Sequence, residues 1–155
     1  MEVGNDVRAE SSFAAATQQA PGEPAAWADW GILALRQRNY EQASQRLDRA
    51  HSLAPRNGQI EADLGTLEST RGDSAAAIAD FREAVHRDPR NIRALYQLAL
   101  EIERQGGQDS EAEFQRLVRQ ILDTRPNNVP ALLELSRIAA KRGDTVTLRD
   151  AVDRI

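Results

Sequence analysis

Cysteine is absent from the sequence, and aromatic residues make up only 5% of its 155 residues. Without cysteine there can be neither a disulfide framework nor a thiolate metal site. With so few aromatic residues, the core must be built from Ala, Leu, Ile and Val. The alanine-rich composition, with many Arg, Gln and Glu residues, favours α-helix. The length is that of one domain, which we expect to span residues 1–155.

The charge balance is acidic, which argues against nucleic acid as a partner. The net charge is −4, and Lys141 is the only lysine. Nucleic-acid binding depends on clustered Lys and Arg side chains that neutralise phosphates, so we expect no such partner. The preference for Arg over Lys, together with the high alanine content, is typical of a GC-rich bacterial genome.

Long apolar runs are also missing, so we expect no membrane insertion. No stretch approaches the ~20 apolar residues that a membrane-spanning helix needs. The first residues, MEVGNDVRAESS, lack the basic start and apolar middle of a signal peptide. Either the protein stays inside the cell or a targeting segment has been removed. The sequence is therefore compatible with a cytoplasmic or a periplasmic location and does not distinguish them.

One short pattern occurs three times, as SLAPRN (52–57), HRDPRN (86–91) and DTRPNN (123–128). Pro21, Pro55 and Pro89 follow one another at intervals of 34 residues, and Pro126 comes 37 residues later. A fixed period in this range indicates a stacked-repeat architecture. Small residues recur with the same period at Gly31, Gly65, Ala99 and Ser136.

Within each repeat the apolar residues fall at helical spacing on either side of a polar turn. We therefore predict helices near 24–37 and 40–53, 58–71 and 74–87, and 92–105 and 110–124. Asn39 and Asp73 are the predicted N-caps of second helices. Gly31 and Gly65 are expected to let the two helices of a hairpin cross closely, and Leu98 is expected to lie in the core.

These residues make the chain resemble the tetratricopeptide repeat family, whose signature is W-x2-L-G-x2-Y, then A-x3-F, then P. The first repeat matches at Trp27, Gly31, Ala43 and Pro55, and the second keeps Gly65, Ala77, Phe81 and Pro89. The resemblance implies an all-α fold, a right-handed superhelical solenoid of stacked helical hairpins (an alpha-alpha superhelix).

The period divides the chain into four predicted repeat units preceded by a truncated one. The truncated unit is a second helix at 5–23, and the repeat units are 24–57, 58–91, 92–128 and 129–155. The third carries a three-residue insertion near QGGQDSE, where we expect a longer turn or an added helical turn capped by Ser110 with Glu113. The fourth is truncated, with Leu148, Val152 and Ile155 facing its first helix. We expect a fragment of a larger bacterial protein.

No catalytic, cofactor or metal site is predicted, so we expect no enzyme activity and no cofactor. His51 and His86 each lack a second His or Cys at ligand spacing, which favours solvated surface positions. QGGQ at 105–108 lacks the lysine of a phosphate-binding loop and is predicted to be a turn. Trp27 and Trp30 occupy columns filled elsewhere by leucine, which favours core packing over a stacking platform.

The resemblance implies that a partner binds the concave face lined by the first helices. The predicted groove consists of residues on those helices, with acidic side chains in the first repeats and basic ones in the last: Asp29, Ile32, Leu35, Arg36, Asp63, Thr66, Arg93, Tyr96, Gln97, Leu100, Arg104, Leu133, Arg137 and Lys141. Its apolar members are not obviously needed for packing, although some could pack between adjacent repeats. Ala28 and Ile32 stand where the chaperone-binding subtype carries its carboxylate-clamping residues.

The predicted function is a non-enzymatic protein-protein interaction scaffold that binds a peptide or helix. The alternative is a segment of a larger enzyme, such as a glycosyl or sulfuryl transferase, or of an envelope assembly or export factor. There it would present substrate or mediate self-association. Because terminal repeats normally need a polar cap, we also expect a homodimer through the repeat ends.

Overall fold

The computed structural model describes the backbone of residues 2–155 and the side chains of residues 8–107 and 109–155. Side chains of residues 5–7, in the predicted truncated unit, lie outside this range. The described chain contains nine α-helices, whose bounds are α1 Glu2–Gln19, α2 Pro24–Arg36, α3 Tyr40–Leu53, α4 Gly58–Arg71, α5 Ser74–Arg87, α6 Ile92–Gln105, α7 Gln108–Thr124, α8 Val129–Arg142 and α9 Thr145–Asp153.

The predicted all-α fold of helical hairpins is confirmed. The six predicted helices are present, five of them within one residue of the expected bounds, and no strand occurs in the described backbone. The chain forms two compact units, Met1–Asp88 (the N-terminal body) and Pro89–Ile155 (the C-terminal body). None of the helices in the described residues has the length and hydropathy needed to cross a membrane.

Most helices begin at an Asn or Asp whose side chain accepts a hydrogen bond from a backbone N–H of the first turn. The predicted caps are confirmed, since Asn39 accepts from Gln42 N and Asp73 from Ala76 N. The same arrangement is found at Asn57, Asn91, Asn128 and Asp144. Each such cap typically contributes about 1 kcal/mol to helix stability.

The start of α7 differs from the prediction. The inserted residues do add a helical turn, but the N-cap is Gly107, which offers no side-chain cap. Ser110 lies inside the helix and donates its hydroxyl hydrogen bond to the carbonyl of Gly106. Gly106 and Gly107 have φ values of 73° and 104°, which glycine adopts without strain. The backbone freedom of two glycines therefore starts the helix three residues earlier than a cap at Ser110 would.

In the N-terminal body two hairpins, α2–α3 and α4–α5, pack against each other, and α1 packs on α2. Glycine allows the close crossing within each hairpin. A Cβ on Gly31 would lie 2.8 Å from Leu47 Cγ, and one on Gly65 would lie 2.7 Å from Phe81 Cδ1. Leu47 and Phe81 are almost completely buried, at 0% and 1% exposure.

In the C-terminal body α6 pairs with α7, α8 pairs with α9, and α7 joins the two hairpins. Bulkier side chains replace the small ones of the N-terminal body. Phe114, Val118 and Ile121 of α7 are all buried, as is Leu98 on the facing helix. Phe114 and Ile121 therefore fill columns that hold alanine in the earlier repeats, whereas Val118 fills a column that holds Leu or Phe there.

The expectation that Leu148, Val152 and Ile155 all face α8 is wrong for two of them. Leu148 is partly buried, whereas Val152 and Ile155 are 53% and 52% exposed. The inward residue of α9 is Ala151, which is completely buried. Val152 is turned 100° away from it by the helical rotation, and Ile155 follows the end of the helix at Asp153.

Candidate functional site

The predicted groove residues of the N-terminal body differ widely in exposure. On α2, Asp29 and Arg36 are exposed, and Ile32 is partly buried against the core. On α4, Thr66 is partly buried and donates its hydroxyl hydrogen bond to the carbonyl of Ala62, at 2.8 Å. Of the predicted groove residues of this body, only the two charged residues of α2 are therefore exposed.

Two predicted groove residues of this body, Leu35 and Asp63, are buried. The expectation that Leu35 is not needed for packing is therefore wrong. Leu35 is 8% exposed and belongs to the core, because its place on α2 brings it against the second hairpin. Asp63 is 4% exposed, and its Oδ1 accepts a hydrogen bond from Gln59 Nε2 at 3.1 Å. Helical spacing alone could not separate packing between hairpins from a free surface.

In the C-terminal body the predicted groove residues are exposed or partly buried. Arg93, Arg104, Leu133, Arg137 and Lys141 are exposed, and the partly buried ones are Tyr96, Gln97 and Leu100. Leu133, at 54% exposure, is a large apolar side chain on the surface of α8. This body therefore carries most of the accessible candidate surface.

Several cations of this surface are paired with carboxylates. Arg104 Nη1 donates to Glu101, which is buried, at 3.0 Å. Arg137 Nε donates to Glu134 at 2.8 Å, and Arg137 Nη2 also donates to Glu103. These contacts, with the hydrogen bond that Arg137 donates to Glu134 as the largest cause, raise the pKa of Arg137. Its charge is thus constant, and its position is set by two helices.

A cavity of about 200 Å³ lies between the α6–α7 turn and α8. Phe114 and Ile138 line it, together with Gly106, Gly107 and two ion pairs. One pair is Arg137 with Glu103, and the other is Lys141 with Glu111, at 3.7 Å. The prediction included Arg137 and Lys141 but missed the cavity, which the inserted glycines help to form.

A second, more open cavity of about 530 Å³ lies where the turns before α6 and α8 meet. We call it the arginine pocket, and its lining residues are Arg90, Asn91, Ile92, Arg93, Tyr96, Arg125, Asn128 and Pro130. The sequence reasoning identified Arg93 and Tyr96 and missed Arg90 and Arg125. The signal was present, since both arginines belong to the repeated Pro-containing turns.

A cluster of titratable groups joins α3, α4 and α5. His51 Nδ1 lies 3.2 Å from Oε1 of the buried Glu61, and 40% of the His51 side chain is exposed, so the residue lies at the surface with one ring nitrogen against α4. Burial, followed by the nearby charges of Glu61 and Glu68, raises the pKa of Asp80 to about 6, although His51 opposes the shift. Among the described residues no group of His, Asp and Glu side chains is arranged to hold a metal ion.

Both tryptophans make packing contacts and hydrogen bonds within the N-terminal body. Trp27 packs against the core, and its Nε1 donates to the carbonyl of Pro21 at 3.0 Å. Trp30 Nε1 donates to Glu10 Oε1 at 2.9 Å, and the guanidinium of Arg46 lies over the Trp30 ring at 3.9 Å. The predicted packing role is confirmed for Trp27, and Trp30 adds a polar link to α1.

Solved structures with the same fold include MamA and PilF. The crystal structure of MamA matches with a TM-score of 0.78 at 13% identity, covering 99% of this chain and 90% of that one. PilF of Pseudomonas aeruginosa matches with a TM-score of 0.84 at 18% identity, covering 99% and 68%. Identities this low establish a common fold and nothing about function.

A third structure, YrrB, is described as a tetratricopeptide protein with an unusual peptide-binding site. It matches with a TM-score of 0.68 at 16% identity, covering 99% of this chain and 77% of that one. No curated protein matches the sequence.

The family comparison agrees with the repeat period. A family model described as Tetratricopeptide repeat matches residues 28–92 and 62–120. The overlapping matches cover all four helices of the N-terminal body's hairpins except the first residues of α2, and they continue into α7. Because they span more than half of the sequence, the repeated hairpins are tetratricopeptide repeats and the chain belongs to this family.

Proposed function

We propose that this chain is a non-enzymatic scaffold that binds a peptide or helix of another protein through its first helices. Tetratricopeptide repeats form protein-interaction scaffolds, which supports the general role. YrrB, a protein of the same fold, is described as having a peptide-binding site. The finer assignment concerns the surface, which we take to be the accessible part of the predicted groove in the C-terminal body.

The proposal is supported most directly by the partly exposed face of α6. Tyr96 and Leu100 lie one helical turn apart and keep part of their surface exposed, while Leu95, Leu98 and Ala99 are buried. Residues four apart on a helix share a face, so the two side chains form a short apolar stripe. Exposed apolar surface bordered by polar residues is typical of interaction sites.

The experiment is a capture of partners from a cell extract with the intact protein. The wild type is compared with Leu100→Asp and with Ala75→Asp, which introduces the same charge at an exposed position of α5, outside both candidate surfaces. We expect Leu100→Asp to lose the partner that the wild type and Ala75→Asp retain. Retention by all three proteins would contradict the assignment of the α6 face.

Self-association through residues 129–155 is a second candidate, which is compatible with a role as a segment of a larger enzyme or envelope factor. It is favoured by the exposed apolar side chains of α8 and α9, which are Val129, Leu133, Val146 and Val152. Association that buries these side chains would remove apolar surface from water. Sedimentation over a wide concentration range tests it, and a monomer at all concentrations would contradict it.

A further inference from the structure

We call the cavity of about 200 Å³ beside Gly106 and Gly107 the turn cavity, since it lies between the α6–α7 turn and α8. An apolar cavity of about 150 Å³ in a protein core holds one benzene molecule, so the turn cavity has room for a single aromatic or branched aliphatic side chain. Sites for drug-sized ligands begin at about 300 Å³. The size therefore favours one side chain of a partner over a larger ligand.

The charged side chains that line the turn cavity are exposed at its rim and are paired with carboxylates or cations of the same body. Arg137 donates to Glu103 on α6 and, from its Nε, to Glu134 on α8 at 2.8 Å. Lys141 Nζ lies 3.7 Å from Glu111 Oε1. A charged group that entered the cavity would have to compete with an existing pair, whereas a neutral group leaves the pairs intact. The electrostatics therefore favour an uncharged occupant.

The N-terminal body carries larger apolar side chains at the equivalent positions of its repeats. Tyr40, the first residue of α3, packs against the core of that body, and Leu67 of α4 is a completely buried member of the core. One 34-residue and one 37-residue interval later stand Glu111 and Ile138, which both line the turn cavity. Ile138 is only partly buried. The C-terminal body therefore lacks the aromatic ring that the first hairpin supplies at this position.

The turn cavity continues the surface to which we assign the partner. Glu103 comes three residues after Leu100 on α6, and Arg137 comes four residues after Leu133 on α8. Residues at these spacings share a face of a helix. With a rise of about 1.5 Å per residue, Leu100 and Glu103 are separated by about 4.5 Å along the helix axis. A peptide that covers Leu100 therefore reaches the cavity within about two extended residues.

We propose that the turn cavity binds one aromatic or branched aliphatic side chain of the partner peptide. This anchor side chain packs against Phe114 and Ile138 and replaces the ring that Tyr40 supplies in the first hairpin. Large side chains that fill a preformed pocket typically dominate the affinity of an interface. The inference rests on the proposed function, because the peptide that carries the anchor is the one that lies along α6.

The first test is an NMR titration of the full chain with N-acetylphenylalaninamide, a neutral probe with one aromatic side chain. It follows the backbone amide resonances of Gly106 and Gly107, which line the cavity. N-acetylglycinamide and N-acetyl-lysinamide are the comparison ligands. Glu111→Tyr introduces the ring of the first hairpin and should fill the cavity. Glu111→Gln is the matched control, because both variants break the pair with Lys141 and only Glu111→Tyr adds a ring.

We expect the phenylalanine probe to bind the wild type and Glu111→Gln with a dissociation constant of about 1 mM. Glu111→Tyr should weaken its binding at least about fivefold, and the two comparison ligands should bind the wild type at least about fivefold more weakly. No saturable shift up to about 20 mM probe would overturn the cavity as a binding site, as would equal binding to Glu111→Tyr. Equal binding of N-acetyl-lysinamide would overturn the choice of an apolar anchor.

The second test repeats the partner capture with the same two variants. Glu111→Tyr should retain at most about a fifth of the partner that the wild type and Glu111→Gln retain. Full capture by Glu111→Tyr would overturn the assignment of the cavity to the partner peptide, even where the probe binds.

The turn cavity and the α6 face fail in different ways. The probe titration contains no partner, so its failure overturns the cavity and leaves the α6 face standing. Loss of the partner in Glu111→Tyr, with Leu100→Asp still capturing it normally, would instead support the cavity and remove the α6 face from the site.

Discussion

Gly65 lies directly against the ring of Phe81, so closely that a Cβ at position 65 would be 2.7 Å from Cδ1 and 2.8 Å from Cε1. The contact joins α4 to α5 and is repeated in the first hairpin between Gly31 and Leu47. Since real side-chain atoms do not approach so closely, either the ring or the helices must move to accept a side chain here. This contact is the physical reason for the small-residue column of the repeat.

Gly65→Leu should therefore destabilise the N-terminal body by about 1–3 kcal/mol or more, because the larger side chain overpacks a filled interface. Urea denaturation followed by circular dichroism measures the change. Gly22→Ala is the control, since a Cβ there would meet nothing within 4 Å. Unfolding of Gly65→Leu at the wild-type midpoint would show that the two helices are not in close contact.

Leu98 and Leu100 lie on the same helix, α6, but differ in burial. Leu98 is 2% exposed, so Leu98→Asp buries an unpaired charge and should unfold its hairpin, with a loss of about 3 kcal/mol or more. Leu100→Asp should keep its helicity and lose less than about 1 kcal/mol, because the partly exposed carboxylate can remain hydrated. Thermal unfolding of both variants measures the difference, and equal losses would place Leu100 in the core.

Asp80 makes stability depend on pH. Its pKa in the folded chain is raised to about 6 from 3.8, mainly by burial and then by Glu61 and Glu68. The folded state therefore binds a proton more tightly than the unfolded state. This contribution is fully present below pH 3.8 and is lost as the pH rises through 6.

Asp80→Asn should consequently stabilise the chain at pH 8 and have little effect near pH 4. Because the carboxyl is only partly buried, solvent screening limits the gain to about 1–2 kcal/mol. Asp123→Asn, which removes an exposed carboxylate from α7, is the control. Denaturation curves at both pH values measure the gain, and a loss of stability at pH 8 would contradict the assigned sign.

Arg46 fastens α1 to the first hairpin. It is 9% exposed, donates to Glu10 Oε1 at 2.8 Å and to Gln42 Oε1 at 2.7 Å, and stacks on Trp30. Removing one member of a buried charge pair typically costs about 3–5 kcal/mol, and the partial exposure of Glu10 lowers the expected loss for Arg46→Ala to about 2–3.

Hydrogen exchange of the backbone amides of α1 should become markedly faster in Arg46→Ala than in Arg49→Ala. The second variant is the control, because Arg49 is an exposed arginine of α3, the helix that also carries Arg46. Glu10 loses its ion-pair partner in Arg46→Ala and keeps it in Arg49→Ala. A difference between the two variants therefore cannot come from the loss of an arginine side chain from α3 in general. Unchanged protection of α1 in Arg46→Ala would mean that apolar contacts alone hold this helix.

The sequence predicted the fold because its signals repeat. Pro55 and Pro89 mark the turns, and Gly31 and Gly65 mark the close helix crossings. An assignment made in one repeat can therefore be compared with the equivalent residues of the next repeat. The start of α7 was mispredicted because the Gly106–Gly107 turn occurs once and has no second copy. Without an equivalent turn in another repeat, Ser110 followed by Glu113 matched the pattern of a helix N-cap.

The site was less predictable than the fold. Helical periodicity identifies the face on which Leu35 and Leu100 lie, but burial also depends on the neighbouring hairpin, and only Leu35 of the two is buried. The arginine pocket was missed for a related reason. Arg90 and Arg125 are 35 residues apart and meet only because successive turns stack.

The most direct test of the scaffold account is hydrogen exchange of the intact chain with and without its captured partner. The account predicts protection of residues 92–105 and 129–142, which form α6 and α8. The exposed residues of α9 should exchange as in the free protein. Protection confined to α9 or to the outer residues of α3 and α5, with α6 and α8 unchanged, would contradict it.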